Sequence, residues 1–359
     1  MTKNKIVSSI LLGNTLLAAT SVAAFTTSCS TNIEEYFFKV ETDDLEVEFC
    51  DIGASIYSIQ YKDTYITYAP KNKQQFLDID YYGNIVGRLP GRIAEGRIKV
   101  GDKTYQLEVN EADRNNSLHG GKNCFSVQKF NRYVEETDDK INVSFNYVSP
   151  ANEAGYPELL DCWVVYTIYK NIAQIDTQIY AKTTGTTPVN ITNHPYFRLA
   201  NSGDILEHEL TVPADKKAIY DEDLRIVGQE DIESLKEFDF NLEKEIGKDI
   251  EAVATKEPVA KGYDHMFIFT NNNPIHKITL RNPDNELTLE IETDAEAACL
   301  YTNNYPKDNL EILGGGNDVI HGSIAVEPQS YFKGNDTSML NIDANNSFTR
   351  YISYKLFNE

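Results

Sequence analysis

Alternation of apolar and polar residues is the dominant pattern of this chain. Leu45, Val47 and Phe49 are separated by single glutamates, and the same period of two recurs in residues 141–147 and 175–179. Successive side chains of a strand point to opposite faces of a sheet, so this period predicts half-buried antiparallel strands.

A hairpin and one short helix complete the predicted elements. Apolar residues 278–280 and 287–291 flank the turn sequence NPDN at 282–285, which predicts a β-hairpin. Helical period is scarce, with a short candidate around residues 231–237. There is no internal repeat, low-complexity tract or Pro- or Gly-rich linker. The pattern therefore predicts an all-β protein in which residues 30–359 form a single large antiparallel β-sandwich.

Residues 1–29 are predicted to be a targeting segment. Lys3 and Lys5 give a basic start, and residues 6–25 are mostly apolar with small residues toward their end. This is the layout of a secretory signal peptide. Polar residues interrupt the apolar stretch, so we expect an export signal and no transmembrane span.

The end of this segment has two interpretations. Cys29 follows small residues, which resembles the lipidation site of a bacterial lipoprotein, although Thr26 stands where such a site usually has an apolar residue. The alternative is cleavage after Ala24 and a freely secreted product. We expect an exported protein, either secreted or lipid-anchored through Cys29 at the outer face of a bacterial membrane.

The charge of the chain excludes some partners. Its 55 acidic and 33 basic residues give a net charge of −22, which repels nucleic acid and anionic lipid. No nucleic-acid partner is expected, and we interpret the charge as a contribution to solubility. The cysteines are too widely spaced to indicate a disulfide pairing, and neither CxxC nor HExxH occurs, so no metal site is predicted. The five are Cys29, Cys50, Cys124, Cys162 and Cys299.

Candidate chemistry lies in five separated stretches, at residues 83–97, 117–121, 190–199, 262–265 and 323–329. His194, in the stretch NITNHPYFRL, titrates near neutral pH and lies beside aromatic residues, so it is a candidate general acid. Taken separately, a histidine of this kind is more often a structural residue. In the same way, a strand that ends in a glutamate before a proline, as at Glu327 and Pro328, often simply ends at the protein surface.

Together these stretches resemble the aldose 1-epimerase (galactose mutarotase) family. The resemblance covers nearly the whole chain after residue 29 and rests on LHGG at 118–121, TNH followed by YF within 192–197, and YDH at 263–265. It implies the galactose mutarotase-like supersandwich and interconversion of the α and β anomers of free aldohexoses such as glucose or galactose. It also implies a monosaccharide substrate and no metal or organic cofactor.

The resemblance assigns roles to particular residues. Glu327 matches the general base and His194 the general acid, while His119 either steadies the developing charge or shares the proton transfer. Arg92 matches the arginine that holds the sugar, and Asp264 matches the acid that accepts hydrogen bonds from its hydroxyls. A carboxylate and a histidine suit the reaction, because opening the ring removes a proton from the anomeric hydroxyl and delivers one to the ring oxygen.

Several positions depart from the family pattern. Gly91 and Arg198 replace asparagines, Pro195 replaces a serine, Cys299 replaces a glutamine, and Phe332 begins a segment where the family often has Pro-Asp. Arg198 is expected to bring a charge close to the cleft. These changes predict an altered sugar preference or weakened activity.

Two other functions remain open at this stage. One is an exported carbohydrate-binding protein on the same scaffold with little or no turnover. The other is a hexose-6-phosphate 1-epimerase with a basic pocket, although solvent-facing arginines account for most of the candidates. These are Arg88, Arg92, Arg97 and Arg198. No catalytic role is expected for His208, His265, His276 and His321.

Overall fold

The computed structural model describes residues 32–79, 81–256, 261–270 and 273–358. The predicted signal peptide, Cys29 and both cleavage positions lie outside the described residues. The segment Ile33–Glu359 forms one compact unit. Across the described ranges, no helix combines the length and the apolar character needed to cross a membrane.

Strands make up most of the described chain. In order they are β1 (Phe37–Glu41), β2 (Leu45–Cys50), β3 (Ser55–Tyr61), β4 (Thr64–Tyr65), β5 (Ile85–Val86), β6 (Arg92–Ala94), β7 (Arg97–Val100), β8 (Lys103–Gln106), β9 (Asn116–Leu118), β10 (Asn131–Glu136), β11 (Lys140–Ser149), β12 (Leu160–Tyr169), β13 (Gln174–Thr183), β14 (Thr187–Pro188), β15 (Thr192–Asn193), β16 (Tyr196–Phe197), β17 (Glu209–Thr211), β18 (Ala214–Tyr220), β19 (Ile226–Asp231), β20 (Lys244–Glu245), β21 (Asp264–Phe269), β22 (His276–Asn282), β23 (Leu287–Thr293), β24 (Ala297–Tyr301), β25 (Ile324–Gln329), β26 (Asn341–Ile342) and β27 (Phe348–Asn358).

Helices are few and short. The α-helices of the described residues are α1 (Lys73–Asp78) and α2 (Ile250–Lys256). Single turns of 3-10 helix occur at Ile33–Tyr36, Phe125–Val127, Glu153–Gly155, Ile232–Ser234, Lys236–Phe238, Ile246–Lys248 and Ser338–Leu340.

Three large antiparallel sheets organise the fold. Nine strands pair in the order β10-β11-β12-β13-β27-β23-β22-β17-β20, six in the order β16-β25-β24-β21-β18-β19, and four in the order β1-β2-β3-β4. The main apolar core draws side chains from all three sheets, among them Val47, Val164 and Phe267, each fully buried. The predicted all-β sandwich is therefore confirmed.

The strands predicted from alternation are present. The three alternating segments fall in β2, β11 and β13, and the predicted hairpin is the pair β22 and β23. In β12 the alternation of buried and half-buried residues is complete over all ten positions. Such strands have one face on the core and one toward solvent, which is why their period is visible in the sequence.

The predicted helix at residues 231–237 is wrong as a continuous element. Residue Asp231 ends β19, and two separate turns, Ile232–Ser234 and Lys236–Phe238, follow it. The apolar residues Ile232 and Phe238 are anchored in the core, so tertiary packing and not helical period fixes this connection.

Candidate active site

The six-stranded sheet presents a row of chemically active side chains on one face. Cys299 pairs directly with Glu327 across β24 and β25, and Met266 pairs with Cys299 across β21 and β24. Directly paired residues of an antiparallel ladder point to the same face, as do residues two apart in one strand. Asp264 and Tyr301, also a direct pair, therefore share this face. All five line a cleft of about 460 Å³.

Main-chain hydrogen bonds fix His194 above this row. Its N–H donates to the carbonyl of Asn84 at 2.9 Å, and its own carbonyl accepts from Gly83 N–H at 2.9 Å. The preceding Asn193 is fully buried, donates to the carbonyl of Gly83 and accepts from the hydroxyl of Tyr354. Gly83 has a φ of +83°, and a Cβ there would lie 2.0 Å from the carbonyl oxygen of Ile56, so only glycine fits.

A side-chain bridge connects the histidine segment with the glutamate strand. The Asn190 amide nitrogen donates to the carbonyl of Ser330 at 2.9 Å, and its amide oxygen accepts from Ser330 N–H at 2.9 Å. Ser330 directly follows β25, which carries Glu327. The two ends of this bridge thus hold the segments of His194 and Glu327 in fixed register.

His194 and Glu327 form a buried pair. The Nε2 atom of His194 lies 3.2 Å from Oε1 of Glu327, and both residues are 3% exposed. Within the described chain, Nδ1 of His194 and Oε2 of Glu327 are buried without a hydrogen-bond partner. Tyr196, Tyr81 and His119 surround the His194 ring, with ring centroids 5.2, 5.9 and 5.3 Å away.

Burial sets the protonation of this pair. Loss of solvent raises the pKa of Glu327 to about 8, an effect that Asp264 strengthens and Arg92 opposes. Loss of solvent also lowers the pKa of His194 to about 4. Near neutral pH the pair therefore holds a single proton, which these shifts place on Glu327 beside a neutral His194. Transfer of that proton across the 3.2 Å contact gives the form with ionised Glu327 and protonated His194, which can take one proton and give another.

The turn after β9 brings His119 to the cleft. Gly120 has a φ of +98°, and a Cβ there would lie 2.1 Å from the carbonyl oxygen of Gly87, so glycine allows the turn to approach the preceding segment. The N–H of His119 donates to the carbonyl of Gly91, while the N–H of Gly91 donates to Nδ1 of the His119 ring at 3.3 Å.

This contact fixes the tautomer of His119. Burial lowers its pKa well below the ordinary value, with further lowering by His194 and Arg92, so the ring is neutral. Because Nδ1 accepts a hydrogen bond, the proton of the neutral ring lies on Nε2. His119 is therefore a hydrogen-bond donor.

The same three residues form the candidate metal cluster of the described chain. One ligand atom from each of His119, His194 and Glu327 lies within 4.8 Å of the others, a spacing that could hold an ion. The chemistry of the donors argues against it, because one nitrogen of His119 is already hydrogen-bonded and the other carries the proton. A metal ligand needs a free lone pair on that nitrogen.

Charged groups line another part of the cleft. The Nε atom of Arg92 donates to both carboxylate oxygens of Glu111 at 3.1 Å, and its Nη1 lies 3.9 Å from Oδ2 of Asp264. Glu111 also accepts from Arg114 and from the buried Asn116. Glu111 thus orients the Arg92 guanidinium, whose free edge and the Asp264 carboxylate are available to bind hydroxyl groups.

The structure brings together all five sequence-predicted site residues. Glu327, His194, His119, Arg92 and Asp264 all line the one cleft. Their chemical roles remain predictions. Of the six histidines, the cleft is lined by His119 and His194 alone, whereas the other four have structural contacts. His208 accepts from Leu199 N–H, His265 from Asp264 N–H, His276 packs on Phe269, and His321 contacts the carbonyl of Thr302.

The expectation that Arg198 brings charge to the cleft is wrong. It is 2% exposed, packs its guanidinium over the ring of Tyr68, and donates to carbonyls of a neighbouring loop, including those of Ala200 and Asn201. Its guanidinium is occupied by hydrogen bonds to main-chain carbonyls. Arg198 is not among the residues that line the cleft.

Arg88 does not face solvent, contrary to the interpretation made from the sequence. It is 1% exposed and donates to the carbonyls of Pro157 and Glu158 and to the hydroxyl of Ser149. Arg97 does face solvent, where it pairs with Glu95 at 2.7 Å. Of the four arginines considered for a phosphate pocket, Arg92 is therefore the one that lines the cleft.

Sequence patterns did not identify several residues of the cleft. Tyr81, Glu111 and Arg114 lie in connections outside any motif, so no local signal predicts them. Tyr301 lies two residues after Cys299, on the same strand. Tyr220 ends β18, and its hydroxyl accepts from Met266 N–H. Of the positions that depart from the family pattern, Gly91, Cys299 and Phe332 line the cleft.

Comparisons with known proteins agree with one another. The family model described as aldose 1-epimerase matches residues 37–352. Galactose mutarotase of Rattus norvegicus is 31% identical over 304 residues, 82% of this chain and 85% of that protein, and the Bos taurus protein is 30% identical over 305 residues with the same shares. Galactose 1-epimerase from Lactobacillus acidophilus NCFM has the same fold, with a TM-score of 0.78 at 24% identity over 90% of this chain and 94% of that one.

Proposed function

The chain belongs to the aldose 1-epimerase family, and we propose that it interconverts the α and β anomers of free aldohexoses such as glucose or galactose. The observation that supports this most is the buried His194–Glu327 pair, with 3.2 Å between Nε2 and Oε1, in the lining of the cleft. An acid and a base held side by side are what ring opening requires.

The proton balance of the reaction matches the single proton of this pair. The reaction proceeds from the form in which the proton has moved from Glu327 to His194 across their 3.2 Å contact. Glu327 then takes the proton of the anomeric hydroxyl while His194 delivers a proton to the ring oxygen, and the bond between the anomeric carbon and the ring oxygen breaks. The product is the open-chain aldehyde, with Glu327 protonated and His194 neutral. Rotation of the aldehyde and the reverse transfers close the ring on its other face, so the enzyme returns to its starting state.

The neighbouring groups have supporting roles in this scheme. Neutral His119 donates a hydrogen bond from Nε2 and so steadies negative charge that develops on a sugar oxygen. It does not share the proton transfer, because its Nδ1 already accepts from Gly91 N–H and so has no lone pair for a second ring proton. Arg92, oriented by Glu111, and Asp264 bind the hydroxyls and fix the sugar over the pair.

Polarimetry tests the proposal directly. Freshly dissolved α-D-glucose and α-D-galactose are followed with the wild type, Glu327→Gln and His194→Ala. We expect the wild type to accelerate the change in rotation and each variant to lose on the order of 100- to 10,000-fold of the rate. Matched controls are Glu135→Gln, on the exposed strand β10, and His276→Ala, outside the cleft. Both should retain the rate.

Saturable sugar binding without any acceleration would contradict the proposal and support the carbohydrate-binding alternative. Acceleration that requires a 6-phosphate would support the hexose-6-phosphate alternative. The structure offers little for that alternative, because Arg88 and Arg198 are engaged by main-chain carbonyls.

A further inference from the structure

The residues that line the cleft differ in polarity. The catalytic pair, Arg92 and Asp264 are polar or charged, whereas a second set of lining residues, interspersed with them on the same sheet face and in neighbouring loops, offers no charged group and no strong hydrogen-bond donor or acceptor. This apolar wall consists of Cys299, Met266, Leu224, Ile226 and Phe332. Met266 and the partly buried Ile226 also pack together in one small apolar cluster. A substrate in the cleft therefore contacts apolar side chains as well as the polar ones.

The strand register fixes where this wall begins. Glu327, Cys299 and Met266 occupy directly paired positions on three adjacent strands. Neighbouring strands lie about 4.8 Å apart, so the backbone of Cys299 lies about 5 Å from that of Glu327, and the backbone of Met266 about 10 Å from it. If the anomeric carbon lies at Glu327 and the ring extends along this row, the ring lies over Cys299 and a substituent on its far side reaches Met266.

A hydroxyl group at that position has no adequate partner among the five wall residues, and the polar groups beside them are already used. The Tyr220 hydroxyl accepts from Met266 N–H, and Asp264 binds the ring hydroxyls in the proposed function. Met266 is 3% exposed and its main-chain N–H is already bonded to the Tyr220 hydroxyl. Cys299 is a weak hydrogen-bonding group, and its sulfur lies 3.9 Å from Oδ1 of Asp264. A hydroxyl pressed against this wall loses its water without replacement, whereas a methyl group gains from burial.

We propose that the cleft selects 6-deoxyhexoses, with the methyl group that replaces the hydroxymethyl group packed against Met266 and Cys299. This inference rests on the proposed anomer interconversion and names the substrate class for it. Chemistry at the anomeric carbon is the same for both sugar classes, so the wall acts on substrate choice and leaves the acid and base steps unchanged.

The test compares matched sugars with the full protein. Values of kcat/KM are measured by polarimetry for 6-deoxy-D-galactose against D-galactose and for 6-deoxy-D-glucose against D-glucose. We expect at least one pair to favour the 6-deoxy sugar by about tenfold or more, the discrimination that one group gives in an apolar pocket. Two pairs are used so that the configuration at C4 does not decide the result.

A ratio of one or below in both pairs, with the parent sugars turned over, overturns the proposal. In that case the wall serves only the C–H face of the ring. Absence of acceleration with all four sugars would instead contradict the proposed function itself, so the two failures are distinguishable.

Variants of the wall connect the preference to its residues. Met266→Gln places an amide in the wall, and we expect the ratio of kcat/KM values to fall toward one. Met339→Gln makes the same change at a residue that is 91% exposed and should keep the wild-type ratio. Should Met266→Gln fail to fold, Cys299→Ser supplies a hydroxyl at nearly constant volume and should lower the ratio in the same direction. An unchanged ratio in the folded variant overturns the assignment.

Discussion

At the scale of single residues, the burial of Glu327 and His194 determines the pH range of activity. Catalysis needs one proton on the His194–Glu327 pair, so activity falls below a pH of about 4, where both groups are protonated, and above about 8, where neither is. We therefore predict a bell-shaped profile of kcat/KM with limbs near these values. The measurement is polarimetric kcat/KM from pH 3 to 10, and a flat profile would contradict it.

Two neighbouring charges should shift the upper limb in opposite directions. Asp264 raises and Arg92 lowers the pKa of Glu327. We predict that Asp264→Asn moves the upper limb to lower pH and that Arg92→Met moves it to higher pH, each by about one unit. Both variants also weaken sugar binding, so the position of the limb, and not the rate, is the measured quantity. Shifts of the same sign in both variants would contradict the electrostatic origin.

Gly91 offers a gain-of-binding variant. Its φ is +70°, and a Cβ added there meets no atom within 4 Å, so the cleft has room for a side chain. Asparagine tolerates this backbone conformation better than most residues. We predict that Gly91→Asn lowers KM about three- to tenfold by adding one amide hydrogen bond to the sugar. Gly91→Ala, with similar strain and no amide, is the control and should not lower KM.

Residue-scale prediction from sequence was uneven for a physical reason. Glu327 and His194 stand in motifs whose letters are visible in the chain. Tyr81 and Glu111 reach the cleft only because turns fold back on it. The sequence around Arg88 does not indicate that its guanidinium binds carbonyls of residues 149–158. Contacts between distant segments leave no local pattern.

At the scale of strands, the Asn190–Ser330 bridge makes the active geometry depend on two separate segments. We predict that Asn190→Ala lowers kcat by about 10- to 100-fold, because a shift on the order of 1 Å between acid and base misaligns both transfers. It should also lower the free energy of unfolding by about 1–3 kcal/mol, since the Ser330 groups lose their partner. Polarimetry and urea unfolding measure the two effects.

The control for this variant is Asn282→Ala at the turn between β22 and β23. Asn282 is also buried, donating to the carbonyl of Leu199 and accepting from Asp284 N–H, but it does not line the cleft. It should destabilise the fold by a similar amount with little loss of kcat. Equal losses of kcat in both variants would mean that Asn190 affects activity only through the stability of the fold.

Strands were predictable where one face meets water. The alternating segments in β2, β11 and β13 have this environment, and the hairpin of β22 and β23 also has a recognisable turn. In β25 all six residues are buried, so its polar Glu327 resembles a surface end in sequence although the strand lies inside the six-stranded sheet.

At the scale of the whole molecule, the catalytic carboxylate is a cost to stability. Burial raises the pKa of Glu327 from an ordinary value of 4.5 to about 8, so the folded protein holds a proton that the unfolded chain releases at lower pH. The stability of the wild type therefore falls as pH rises from about 4.5 to about 8, where a charged carboxylate with an unpartnered oxygen is left inside the fold.

We predict that Glu327→Gln, which cannot ionise, is more stable than the wild type at pH 9 by about 1–3 kcal/mol and that the difference shrinks toward pH 5. Urea unfolding at both pH values measures it, with the exposed Glu135→Gln as a control that should show no such pH dependence. A variant that is less stable at pH 9 would mean that the folded state does not bury this charge. The ionised Glu327 carboxylate would then not destabilise the fold, and burial could not be the cause of its raised pKa.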